Sequence, residues 1–160
     1  MDLRTGDILH CKSDRFTSKV IRYFTKGKFS HTALVIECWG EVCIIEAQNN
    51  GVNLKTYDSW MKKYNYKYAI SRPLQLNEKE FSVRALKRAG VTSYDFKSLL
   101  FYQPLYILTG KWKGSNVGDD KMYCSDFIGW QYDIPKYWEK SPQDLYEYLC
   151  KLSTFETINL

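Results

Sequence analysis

Cys124 stands in KMYCSDFIGW at the start of a run whose Phe127 and Ile128 fall on one helical face. A cysteine nucleophile needs a stabilised thiolate, a nearby base and usually a group that orients the base. Unpaired backbone N–H groups and the dipole at a helix start favour the thiolate. The competing reading is that Cys124 only fills core space, as buried free cysteines do.

The base must come from His10 or His31, the two histidines of the chain. His10 lies in a first strand, and His31 opens a hairpin in which His31, Ala33 and Val35 share a face. On the return strand Glu46, Gln48 and Asn50 alternate onto one face. A four-residue loop over residues 37–40 sets Glu46 opposite His31, and a two-residue loop at Gly40-Glu41 sets Asn50 there. Either partner accepts the imidazole N–H and fixes its tautomer. The residues alone leave both open.

These groups need elements to hold them. GDILHCK predicts a short strand, and DRFTSKVIRYFTKG a helix ending at Gly27. FSHTALVIECW and EVCIIEAQ predict a hairpin around Gly40. Strands follow at 52–55 and 67–72, with a helix over Tyr57–Tyr64 between them. Asn77 and Glu80 resemble a capping box for the next helix, which ends before Gly90. A second helical region starts near Tyr94, residues 111–121 read as a loop, and Ser141-Pro142-Gln143-Asp144 caps the last helix. Strands first and helices later predict an α+β class, with residues 1–160 as a single domain.

Composition narrows the function classes. Charged residues at 26% and apolar residues at 44% are those of an ordinary globular chain. The net charge of +5 is spread out and selects no partner. Five cysteines without regular spacing argue against a disulfide framework. Cys43 and Cys150 read as core, whereas Cys11 and Cys38 are undecided. The N-terminal stretch lacks an apolar signal core, so a cytoplasmic location with reduced thiols is expected. No run approaches the ~18 apolar residues of a membrane span. The closest, within residues 99–108, is short and carries Pro104. Cys38 and Cys43 lack the tight paired spacing of zinc sites, so neither metal nor cofactor is expected. KKYNYKY interleaves lysines and tyrosines but has no recognition motif beside it, so no nucleic-acid partner is expected. Nothing in the sequence sets an oligomeric state.

In order, GDIL, FSHTALVI, IIEA, SRP, Gly90 with Tyr94-Asp95, and YCSDFIGW cover residues 6–132. Together they resemble the permuted NlpC/P60 cysteine peptidases and amidases, particularly the YiiX/YebB-like group. The resemblance implies a circularly permuted papain-like fold, with an antiparallel sheet packed against helices and the histidine strand preceding the cysteine helix. It implies Cys124 as nucleophile, His31 as general base, Glu46 as orienting residue and Tyr94 as a substrate-binding residue. Asp126 and Phe127 depart from the usual Glu and aliphatic residue, and Thr32-Ala33 from the usual run after the histidine. The expected function is a thiol hydrolase cleaving amide bonds in small peptides or cell-wall-type fragments. The alternatives are a lipid-directed hydrolase or acyltransferase, and an inactive binding module on the same scaffold.

Overall fold

Branched and apolar residues at alternate positions build the strands, and their register sorts side chains onto two sheet faces. The computed structural model describes residues 2–14, 16–95, 97, 102–109, 111 and 121–158. Within them six strands pair antiparallel: β1 (Ile8–Lys12), β2 (His31–Cys38), β3 (Glu41–Gln48), β4 (Gly51–Thr56), β5 (Lys67–Pro73) and β8 (Phe155–Ile158). Their spatial order is β4-β3-β2-β1-β5-β8. Helix α1 (Phe16–Thr25) links the first two strands.

One face carries Ile8, Leu34, Ile36 and Ile45, packed with Phe127 and Ile128 of α5 (Cys124–Gln131) and Leu145 of α6 (Pro142–Leu149). The other carries Leu9, Ala33, Val35, Ile44 and Ile70 around the fully buried Trp60 of α2 (Tyr57–Tyr64). This is the α+β, sheet-against-helices arrangement that the sequence implies. Burying apolar surface on both faces leaves the strand ends as the place where polar chemistry can sit. Arg72 ties β5 to the chain just before β1, donating from Nε and Nη2 to the buried Asp7 carboxylate, each bond 2.7 Å. Such a fork-to-fork bridge fixes orientation as well as charge, and it gives the SRP triplet a structural role.

Three expectations are corrected. The hairpin turns at Trp39-Gly40, with φ of 54° and 77°, and pairs Leu34 with Ile45. Continued toward the strand ends, this register sets Gln48 opposite His31, in place of either Glu46 or Asn50. Two positive φ values suit the twist of a two-residue hairpin, and the exposed Trp39 ring meets no packing constraint there. Tyr94 itself lies in β6 (Ser93–Tyr94), which pairs parallel with β7 (Lys121–Met122) just ahead of Cys124, and the backbone near it is helical at Lys97. That pairing also takes Lys121 out of the expected loop, whose residues 112–120 lie outside those described. Cys150 is exposed at the end of α6, not core. Strand β8, unread from the sequence, closes the sheet edge beside β5.

Helix α3 (Glu78–Leu86) is capped by the Asn77 side chain, which accepts from the Glu80 amide. Ser141 and Asp144 form the full reciprocal box at α6. Helix α4 (Gln103–Thr109) covers the second half of the 99–108 segment.

Candidate active site

Cys124 opens α5 after the extended Tyr123, and the first helical amide to find its acceptor is that of Phe127, on Tyr123 O at 3.0 Å. The N–H groups of residues 124–126 therefore have no acceptor within the helix. The helix start is pinned from outside. Tyr123 Oη donates to Trp138 O and Ser125 Oγ to Lys140 O, both at 2.7 Å. Behind Cys124, a Cβ on Gly129 would come within 2.3 Å of Tyr137 Cβ, so glycine lets the 137–139 turn lie close against the helix.

His31 is the first residue of β2, where the strand ends and the helix start meet. Its Nε2 lies 2.7 Å from Glu46 Oε2. That leaves Nδ1 as the nitrogen for Cys124, the side chain that acts most strongly on the imidazole. Burial alone would depress the imidazolium. The charge of Cys124, hydrogen bonds to Cys124 and Glu46, and the Glu46 charge outweigh it and raise the histidine to about 10. Across the site the Tyr66 ring stands 5.7 Å from the imidazole.

Glu46 has no solvent exposure and three partners. Besides His31, Trp60 Nε1 donates to Oε2 at 2.9 Å and Lys55 Nζ sits 3.2 Å from Oε1. Burial pushes the carboxyl up. The hydrogen bond and charge of His31, the Trp60 bond and the Lys55 charge together pull it below its usual value. Asn50, the other sequence candidate, is exposed and exchanges amide hydrogen bonds with Asn53 at 2.9 and 3.1 Å. Tyr94 joins the group: burial, then the charges of Cys124, Tyr66, Asp95 and Glu46, hold its hydroxyl well above the ordinary phenol value. It therefore remains a neutral donor.

A permuted papain-like amidase model, described as the YaeF/YiiX, C92 family, matches residues 2–151. The chain belongs to this family. It is a cysteine peptidase/amidase-like hydrolase, the class that the resemblance implied. In fold it is similar to the crystal structure of metalloprotein YiiX from Escherichia coli O157:H7, with a TM-score of 0.60 and 19% identity over 99% of this chain and 97% of that one. Among curated proteins, none matches. Among the described residues no group of three or more His, Cys, Asp or Glu is placed to hold a metal ion. Nor is any helix among them long and apolar enough to cross a membrane.

In this C92-family chain His10 takes a different part from His31. Its Nε2 meets Ser71 Oγ at 2.9 Å, Phe29 and Tyr146 pack on its ring, and burial pushes it down to about 3. Trp60, Lys55 and Tyr66 escaped the sequence reading, because their convergence depends on strand register. Asp126 also escaped it as a site neighbour. It is 4% exposed, and burial and then the Asp95 charge push it up to about 8. A cavity of about 260 Å³ lined by Phe81, Arg84, Gln131, Tyr132 and Asp133 among others contains none of the Cys124–His31–Glu46 group.

Proposed function

We propose that Cys124, His31 and Glu46 act as a catalytic triad that hydrolyses amide bonds in small peptides or cell-wall-type fragments. The observation that carries this reading is the 2.7 Å bond from His31 Nε2 to Glu46, which fixes the ring with Nδ1 free to exchange a proton with the thiol. Cys124 Sγ passes its proton to Nδ1 and attacks the substrate carbonyl. The imidazolium returns that proton to the leaving nitrogen as the C–N bond breaks, leaving a thioacyl-enzyme. A water then gives a proton to Nδ1 and attacks the thioester. The C–S bond breaks, the acid leaves and the thiolate–imidazolium pair is restored. In this reading the Cys124 N–H donates to the oxyanion, and the neutral Tyr94 hydroxyl contacts the oxyanion or the substrate. Five free cysteines fit a reducing, cytoplasmic setting.

The test incubates wild-type protein and Cys124→Ala with γ-glutamyl peptides and, separately, with acyl phospholipid vesicles. Mass spectrometry follows products and any acyl mass on Cys124. Peptide cleavage by the wild type alone supports the reading. A fatty acyl mass on Cys124 with peptides untouched replaces the substrate class by lipid. Cleavage by Cys124→Ala overturns the nucleophile.

A further inference from the structure

A buried carboxylate needs a cation in every state through which the enzyme passes. Glu46 has two when His31 is an imidazolium: the ring at 2.7 Å and the Lys55 ammonium at 3.2 Å on its other oxygen. During hydrolysis of the thioacyl-enzyme the imidazole must be neutral to take a proton from water. Lys55 is then the one cation in contact with Glu46 among the described residues. The other groups facing the carboxylate supply no positive charge: Trp60 of α2 donates a hydrogen bond, while Cys11 of β1 and Tyr94 of β6 carry none.

Lys55 reaches this place by register. Asn53 of β4 pairs with Glu46, so Lys55 is its diagonal neighbour on the same face. Its ammonium also lies 5.4 Å from the centre of the Tyr64 ring, and Tyr64 Oη in turn donates to Gln48 Oε1 at 2.6 Å. The lysine is thus seated among groups that orient it, with a fifth of its side chain exposed.

Building on the triad reading, we propose that Lys55 is a positioning residue: its ammonium keeps Glu46 ionised and in place through the half of the cycle in which His31 is uncharged. Without it the His31–Glu46 pair retains its proton, and the water-activating step stalls at neutral pH. In that step water loses a proton to Nδ1 and adds its oxygen to the thioester carbon. The C–S bond then breaks and the pair of electrons returns to sulfur.

The experiment uses full-length protein carbamidomethylated at Cys124 with iodoacetamide, which removes the thiolate as the acyl-enzyme does. The His31 imidazole is titrated by NMR, with His10, buried and neutral, as a non-titrating internal check on the fold. In Lys55→Met the His31 proton affinity rises about tenfold or more over wild type, and Lys55→Arg restores it to within about threefold. Lys55→Gln serves if the Met variant does not fold. A titration unchanged in Met or Gln overturns the proposal, as does an Arg variant that behaves like Met. The triad reading fails separately: a His31→Ala variant that alkylates at Cys124 as fast as wild type sinks that reading, while the titration still reports on Lys55 and the pair.

Discussion

The bond between Glu46 and His31 runs diagonally across the β2–β3 ladder, because the Trp39-Gly40 turn sets Gln48 in the position opposite the histidine. A diagonal neighbour reaches farther than a directly opposed one, and glutamate has the extra methylene to span that distance. Glu46→Gln keeps the side-chain length but removes the charge that holds the imidazolium. His31 should lose part of its elevation from about 10, and turnover should fall about 10²-fold or more with little change in KM. Steady-state kinetics on the identified substrate check this. A variant losing less than threefold in kcat would make Glu46 dispensable.

Cys124 should be separable from the other four thiols by its labelling behaviour. Cys11, Cys38 and Cys43 are held up by burial first, which makes them slow, and Cys150 is exposed far along the chain. With an imidazolium that persists to about 10 beside it, Cys124 should be the cysteine whose alkylation by iodoacetamide depends on His31. Peptide mapping across pH 5 to 9 reads the rate at each cysteine. His31→Ala should slow Cys124 about tenfold or more at pH 7 and leave Cys150 unchanged.

The fold class was legible because local signals agreed. Alternating strands, the Asn77 and Ser141 caps and the Phe127/Ile128 face each pointed to the element that formed. Cysteine at a helix start and histidine at a strand start were legible by residue type. The link between them was not, since strand parity put Glu46, Gln48 and Asn50 on one face and the turn decided among them. A tryptophan at positive φ is a poor advertisement for a two-residue turn, so the register came out wrong on either reading of the loop. Lys55 and Trp60 were further from view. Both belong to the site only because β4 and α2 follow that register onto the face of Glu46. The strand pairing of Tyr94 was not legible, because its partners, Lys121 and Met122, lie far along the chain.

Trp60 should matter to stability as well as to the site. Its ring is fully buried among Val35, Ile44 and Ile70, and its indole N–H is the second donor on Glu46 Oε2. Trp60→Phe keeps an aromatic ring but deletes that donor and leaves a small void. A hydrogen bond to a charged acceptor contributes about 1.5–3 kcal/mol, and the void adds to the loss. Urea unfolding should show a decrease of about 2–4 kcal/mol with an unchanged m-value. A loss under about 0.5 kcal/mol would mean that the bond to Glu46 contributes little.

Asp126 gives the fold a pH dependence of definite sign. Its folded value of about 8 stands far above that of an unfolded aspartate, near 3.9, because burial and then the Asp95 charge oppose ionisation. Between those two values the folded chain holds a proton that the unfolded chain has released, so stability falls as pH rises through this window and levels off above it. Asp126→Asn has no proton to hold and should lose that slope. Relative to wild type, the variant should gain on the order of 2–5 kcal/mol at pH 8.5 compared with pH 4.5. Urea unfolding of both proteins at the two pH values measures the difference. Parallel pH profiles would show that the carboxyl ionises in the folded state as it does in the unfolded chain, and that the first turn of the cysteine helix tolerates its charge.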